Sequence, residues 1–170
     1  GWNKFSKDNE MRSHMQNVFI VGAKNLGNYG GYETFVDKLT EYHKENKEIK
    51  YHVAIKDKEY GEFEKNNARC FKIKVPNIGP AQAIYYDVKA LSECCKYIKE
   101  HNIDNPIVYI LACRIGPFAK HFRKKIHKLG GRLYINPDGH EWMRAKWSAP
   151  VRKYWKISEK MMVKQADLLI

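Results

Sequence analysis

The sequence has few of the features that mark secreted, membrane-spanning or metal-binding proteins. Its four cysteines, Cys70, Cys94, Cys95 and Cys113, form no CxxC pair, and neither cysteine nor histidine shows the spacing of a zinc site. The apolar runs are too short to cross a bilayer, and no secretory signal is recognisable. We therefore expect a reducing, cytoplasmic setting, cysteines that serve as small core residues, and no bound metal.

Acidic residues are scarce: 19 aspartates and glutamates stand against 31 lysines and arginines, which gives a formal net charge of +12. Such a charge promotes attraction to anionic surfaces, whether a membrane, a nucleic acid or a phosphorylated ligand. Basic residues crowd positions 120–128 and 152–164, opposite apolar faces. These are either ordinary solvated faces or a surface that rests on an anionic bilayer. Nucleic-acid binding is disfavoured, because the cations lie on helix backs and not among aromatic residues on a sheet face.

Most of the chain alternates between strand-like and helical patterns. Residues 1–14 lack periodicity and resemble a vector remnant, so we place the folded domain at residues 15–170. Short apolar runs predict strands at 17–23, 50–56, 68–75, 106–112, 132–137 and from residue 167 onward. Helical spacing covers residues 32–43, 84–98, 117–129 and 150–162, and residues 57–67 are predicted to be a polar connection.

This alternation predicts an α/β fold with a doubly wound, mainly parallel, Rossmann-like sheet. The 170 residues, 44% of them hydrophobic, suit one globular domain. Ligands of such sheets bind outside the carboxyl ends of the strands, where the strand order reverses. The loops after the first, fourth and fifth predicted strands are therefore expected to hold the chemistry.

The loop after the first strand, within "GAKNLGNYGGYETF", ends in two glycines at the start of a helix. It is neither a Walker A sequence nor a GxGxxG fingerprint. Glycine permits a close approach by a ligand, and the first helical turn presents N–H groups without intrahelical partners. A phosphate or a sugar hydroxyl could dock against Gly30, Gly31, Tyr32 and Glu33. The alternative is a tight turn whose glycines permit packing and whose Glu33 favours the helix dipole.

The loop after the fifth strand, "NPDGHEWMRAKW", is dense in polar and aromatic groups. Asp138 and His140 come just beyond a strand end, where groups capable of proton transfer or hydrogen bonding belong in this architecture. Trp142 offers an aromatic face of the kind that lines sugar sites, and Glu141 and Arg144 offer charge. The alternative is a structural loop with ion pairs and half-buried tryptophans.

Arg114 follows the fourth predicted strand, within "ACRIGPF". An arginine at this position could clamp a phosphate with two hydrogen bonds. A structural ion pair is an equally good interpretation of a single arginine.

Five segments in order carry a family resemblance: "NYGGYETFVDKL", "VPNIGPAQAIYYD", "YILACRIGPF", "NPDGHEWMRAKWSAPVRKYW" and "KQADLLI". Together they resemble the amino-terminal half of bacterial capsule and exopolysaccharide rhamnosyltransferases. These are retaining glycosyltransferases with two Rossmann-like domains, the GT-B architecture. The likeness runs from about Met15 to Ile170. It implies that residues 15–170 form the acceptor-binding domain, that the donor domain lies outside this chain, and that the chain alone is inactive.

The resemblance further implies transfer of L-rhamnose from dTDP-L-rhamnose to a sugar on a polyprenyl-diphosphate carrier. The reaction would take place at the inner face of the bacterial cell membrane, without a cofactor, a metal ion or a nucleic acid. Gly30 and Gly31 would lie near the donor diphosphate and the acceptor. Asp138 matches a position at which related enzymes often carry a histidine. Because His140 follows two residues later, either of the two is a candidate for the central polar group.

Another reading is a complete small nucleotide-dependent enzyme, such as a reductase. This enzyme would need a nucleotide site within the predicted sheet, and the missing GxGxxG motif counts against it. Tight binding of NAD(P) in calorimetry would favour it.

Overall fold

A seven-stranded sheet forms the centre of the computed structural model, which describes residues 15–23, 31–137 and 146–170. The strands are β1 (Gln16–Val21), β2 (Ile49–Asp57), β3 (Gly61–Lys65), β4 (Ala68–Lys74), β5 (Ile107–Ile110), β6 (Arg132–Ile135) and β7 (Leu168–Leu169). The helices are α1 (Gly31–Tyr42), α2 (Ala81–Glu100), α3 (Gly116–Lys128) and α4 (Ala149–Gln165). The six strands predicted from the sequence are all present. Within the described ranges, no helix is both long enough and apolar enough to span a bilayer.

The strand order is β3-β4-β2-β1-β5-β6-β7. All neighbours are parallel except β3 and β4, which pair antiparallel. The chain moves outward from β1 to β2 on one side and later resumes at β5 on the other, so the order reverses between β1 and β5. The prediction of a doubly wound, mainly parallel, Rossmann-like sheet is confirmed.

The predicted polar connection at residues 57–67 is wrong, because it contains strand β3. Every residue of Gly61–Lys65 is exposed, so the strand carries no buried face and shows no apolar alternation. The hairpin turns at Asn66 and Asn67, whose φ angles are 53° and 59°. Asparagine tolerates this left-handed conformation better than most residues, and two such residues form a hairpin turn. The Asn-Asn pair was the signal that the sequence offered.

The core has two parts, one on each face of the sheet. Successive residues of a strand point to opposite faces, so Phe19 packs under α2, α3 and α4 while Ile20 packs with Val36 of α1. Cysteines contribute to this core: Cys94 is fully buried, and burial raises the pKa of its thiol far above the ordinary value. The buried cysteines therefore act as small apolar residues, as the sequence predicts.

His52 lies inside the sheet face that α2 covers. It is 2% exposed and stacks on Phe19 with ring centroids 4.2 Å apart. Arg69 Nε donates to His52 Nδ1 at 2.7 Å, and His52 Nε2 lies 2.8 Å from Asn17 Oδ1. Because Arg69 can only donate, the ring is neutral and carries its proton on Nε2. Burial, followed by the charges of Arg69 and Lys50, lowers the pKa of His52 to about 3.

The neutral state of His52 makes stability depend on pH. Below pH 6.5, the ordinary pKa of histidine, the unfolded chain binds a proton at His52, whereas the folded protein binds it only near pH 3. The folded pKa is depressed, so stability is lost as the pH falls through this window, by about 1.4 kcal/mol per pH unit. In urea titrations, the wild type is expected to lose about 2 kcal/mol more than His52→Gln between pH 6.5 and pH 5.

The matched control is His121→Gln, which changes an exposed histidine of α3. This variant is expected to follow the wild-type pH dependence. If His52→Gln follows it too, the buried histidine is not the group that responds.

Candidate functional site

The carboxyl ends of β1, β5 and β6 lie at one edge of the sheet. The amide of Leu111 donates to the Val21 carbonyl at 2.8 Å, and that of Asn136 donates to the Ile110 carbonyl at 2.9 Å. Neighbouring strands are spaced about 4.8 Å apart, so the ends of β1 and β6 are separated by roughly 10 Å. The loops after β1, β5 and β6, which are expected to hold the chemistry, therefore begin side by side at the point where the strand order reverses.

Gly22 follows β1 directly and adopts a conformation that requires glycine. Its φ is +118°, and a Cβ atom there would lie 3.2 Å from Leu111 Cβ and 3.3 Å from the Leu111 nitrogen. A side chain would therefore be strained and would push β1 away from β5. Sequence reasoning missed the role of Gly22 at this edge.

A buried ion pair joins three elements behind this edge. Arg114, in the loop after β5, donates from Nε to Asp87 Oδ2 at 2.9 Å and from Nη2 to Asp87 Oδ1 at 3.2 Å. The same Nη2 donates to the Gly22 carbonyl at 3.1 Å. The preceding residue of α2 strengthens the link, because the Tyr86 hydroxyl donates to the Ala23 carbonyl at 2.6 Å. The start of α2 and the loop after β5 thus hold the backbone at the end of β1.

This geometry favours the structural interpretation of Arg114. Asp87 is fully buried and Arg114 is 8% exposed, so the pair lies beneath the edge and positions the backbone above it. Sequence reasoning missed Asp87, although a signal was present. Asp87 stands at helical spacing from the buried Leu91, Cys94 and Ile98, so it falls on the apolar face of its helix. An acidic residue in such a register needs a buried cationic partner.

The amino terminus of α3 is occupied by side chains of α4. The Gly116 amide donates to Ser158 Oγ at 2.7 Å, and the Ile115 amide lies 3.4 Å from Met162 Sδ. Pro117 has no N–H group. The Ser158 hydroxyl in turn donates to the Cys113 carbonyl at 2.8 Å. Because these groups are used within the protein, the start of α3 is not the anion-binding helix terminus of this edge.

Helix α1 connects β1 to β2 and packs on the sheet face opposite α2, α3 and α4. Gly31 begins the helix, and Tyr32 and Glu33 are half-buried in its first turn. A carboxylate in this turn stabilises the helix dipole and repels a second anion. It also accepts hydrogen bonds from hydroxyl groups. A phosphate and a sugar hydroxyl both remain predicted ligands of this turn.

The other predicted site residues lie outside the described part of the chain. Their roles remain predictions, and they are Gly30, Asp138, His140, Glu141, Trp142 and Arg144. The two segments that contain them, residues 24–30 and 138–145, begin shortly after the last residues of β1 (Val21) and β6 (Ile135).

A groove of about 410 Å³ lies away from this edge, between the β3–β4 hairpin and the second half of α2. Its central cation is already engaged: Arg69 pairs with Glu62 at 2.6 Å and stacks over the Tyr97 ring at 3.7 Å. Arg69 also binds the buried His52. We assign this groove to the packing of the hairpin and place the candidate site at the carboxyl edge of β1, β5 and β6.

Comparison with known proteins agrees with this architecture. The family described as "Domain of unknown function (DUF1972)" matches residues 15–170. No curated protein sequence matches the chain. Among solved structures, an alpha,alpha-trehalose 6-phosphate synthase from Burkholderia multivorans superposes on 91% of this chain with a TM-score of 0.51 and 8% sequence identity. The chain covers 39% of that protein's length. At this identity the likeness establishes the fold alone.

Proposed function

The chain belongs to the DUF1972 family, and we propose that it is the acceptor-binding half of a glycosyltransferase. The observation that carries the proposal is the shared edge of β1, β5 and β6, with Gly22 in a positive-φ conformation after β1 and Glu33 in the first turn of α1. The fold supports it, because the same Rossmann-like architecture covers part of a trehalose 6-phosphate synthase. A transferase needs such an open edge so that a second domain can complete the cleft.

The proposed reaction of the whole enzyme is transfer of L-rhamnose from dTDP-L-rhamnose to a sugar on a polyprenyl-diphosphate carrier. Its place would be capsule or exopolysaccharide synthesis. The five sequence segments that resemble bacterial rhamnosyltransferases support this choice of donor and acceptor. The position of Glu33 supports a hydroxyl-bearing acceptor at the start of α1, because a phosphate there would meet a carboxylate.

Each part of the site has a proposed role in this reaction. Asp138 or His140 would orient the acceptor hydroxyl or stabilise positive charge that develops on the donor sugar. Glu33 would accept a hydrogen bond from an acceptor hydroxyl. The Asp87–Arg114 pair would act as a positioning device, because it holds the Gly22 backbone from below.

The test is a transfer assay with the whole protein that contains this chain. Rhamnose from radiolabelled dTDP-L-rhamnose is expected to appear on a polyprenyl-diphosphate-linked sugar. Removing the central polar group, by Asp138→Asn or His140→Gln, is expected to lower kcat by about 100-fold to 1,000-fold. Glu33→Gln is expected to raise KM for the acceptor, since the binding contact is weakened. Glu45→Gln, an exposed residue after α1, serves as the matched control and should change neither value.

Two outcomes would contradict the proposal at different levels. Transfer from another nucleotide sugar but not from dTDP-L-rhamnose would support glycosyltransferase activity and contradict rhamnose as the donor sugar. Absence of transfer from every nucleotide sugar, with tight NAD(P) binding in calorimetry, would replace the transferase by a small nucleotide-dependent enzyme. Residues 15–170 alone are expected to be inactive, because the cleft needs both walls.

A further inference from the structure

Helices α3 and α4 carry most of the excess positive charge of the protein. Together they contain ten lysines and arginines and one acidic residue, Glu159, a balance of +9 against a total of +12. By contrast, α1 carries three acidic residues and one lysine, and α2 carries three of each sign. The charge is therefore concentrated on two of the four described helices and is not spread over the surface.

The two helices lie side by side on one face of the sheet. The Gly116 amide of α3 reaches Ser158 of α4, and both helices pack against β6. Their outward sides therefore adjoin. The exposed cations on these sides are here called the basic surface, and they are Lys120, Lys124, Lys125, Lys128, Arg152, Lys153, Lys156, Lys160 and Lys164.

Aliphatic side chains stand among these cations. Ile157 is 47% exposed and Met161 is 41% exposed. They are four residues apart and so share one side of α4. Lys153 precedes Ile157 by four residues, and Lys160 and Lys164 flank Met161. The buried side of the same helix already has its own apolar residues, Trp155 and Met162, so packing within the domain does not require this exposed pair.

We propose that the basic surface docks on an anionic phospholipid bilayer, with Ile157 and Met161 entering the headgroup region. A helix with lysines beside exposed aliphatic residues lies in the plane of a membrane interface, because the lysine stems reach back to the anionic headgroups. The aliphatic pair favours lipid over nucleic acid, since a strand of nucleic acid is held by aromatic rings that stack on its bases. The proposal goes beyond the glycosyltransferase assignment and does not depend on it.

The first test measures sedimentation of the full chain with phosphatidylcholine vesicles, with and without phosphatidylglycerol. Binding is expected only when phosphatidylglycerol is present. Each lysine near an anionic surface strengthens binding about fivefold. The triple variant Lys153→Glu, Lys160→Glu and Lys164→Glu is therefore expected to weaken it by about 100-fold or more.

The matched control reverses three other exposed lysines, Lys44, Lys47 and Lys58, which lie outside the basic surface. It makes the same change in net charge and is expected to alter binding by less than about fivefold. Equal losses in the two triple variants would show attraction by net charge alone and would overturn the proposal. Circular dichroism of both variants verifies that each remains folded.

A second variant tests the aliphatic pair. Ile157→Ser combined with Met161→Ser is expected to weaken vesicle binding about tenfold. The loss should persist at high salt, where the attraction of the lysines is screened. Binding unchanged by this double variant, or tighter binding to duplex DNA than to phosphatidylglycerol vesicles, would assign the basic surface to another polyanion and overturn the proposal.

Discussion

Arg114→Met is expected to lower the free energy of unfolding by about 3–5 kcal/mol. The substitution leaves the Asp87 carboxylate fully buried and without the guanidinium that now binds both of its oxygens. The Gly22 carbonyl loses a hydrogen bond as well. Because a domain of this size is stable by only about 5–15 kcal/mol, the variant should lose a large part of its stability. Urea denaturation at neutral pH measures the loss.

A double variant separates the charge from the packing. Replacing both partners, by Asp87→Leu with Arg114→Met, removes the buried charge and is expected to recover a large part of the lost stability. The matched control is Lys96→Met, which breaks the exposed Lys96–Glu100 pair of the same helix. Exposed pairs contribute about 0–1 kcal/mol, so this variant should be nearly as stable as the wild type. A loss below 1 kcal/mol for Arg114→Met would show that Asp87 is satisfied in another way.

Gly116→Ala is expected to lower the free energy of unfolding by about 3 kcal/mol. The added Cβ would lie 2.5 Å from Ser158 Cα and 2.7 Å from the Ser158 carbonyl oxygen. These are backbone atoms of α4, so no change of rotamer relieves the clash and the helices must separate. Separation weakens the bond from the Gly116 amide to Ser158 Oγ and the bond from the Tyr154 hydroxyl to the Arg114 carbonyl. The gain in helix propensity from alanine, about 1 kcal/mol, is too small to compensate.

The control for Gly116 is Gly79→Ala. Gly79 has a φ of +67°, and an added Cβ would meet no atom within 4 Å. This substitution therefore isolates the cost of the left-handed backbone, which is about 1–2 kcal/mol. Urea denaturation of the two variants under the same conditions compares them directly. If Gly116→Ala is no less stable than Gly79→Ala, the close approach of α3 and α4 is not required for folding.

Much of the fold could be predicted from the sequence because its signals are local. The apolar run at residues 17–23 and the helical spacing of Leu91, Cys95 and Ile98 each lie within one element. Alternation of such elements then leads to a parallel sheet. Strand β3 was missed because all its residues are exposed and its pairing depends on a turn at Asn66 and Asn67. Local apolar periodicity cannot report a strand that buries nothing.

The candidate site divides in the same way. Its edge could be predicted, because ligands of a doubly wound sheet bind where the strand order reverses. The partner of Arg114 could not, because Asp87 lies 27 residues earlier on another helix. The hydrogen bond from the Gly116 amide at the start of α3 to Ser158 could not be predicted either, since Ser158 is 42 residues from Gly116. Both contacts join elements whose relative placement no local pattern specifies.

The sequence by itself therefore determined the order of the helices and of every described strand except β3, the mainly parallel sheet, the edge where the site loops begin and the concentration of charge on α3 and α4. Only the tertiary structure decided that Arg114 lies buried against Asp87, that Gly22 and Gly116 are places of close approach, and that the two basic helices lie side by side. The physical reason is the separation in sequence between the residues that interact. Periodicity and capping act between residues a few positions apart, whereas buried charge pairs and helix contacts depend on the packing of distant segments.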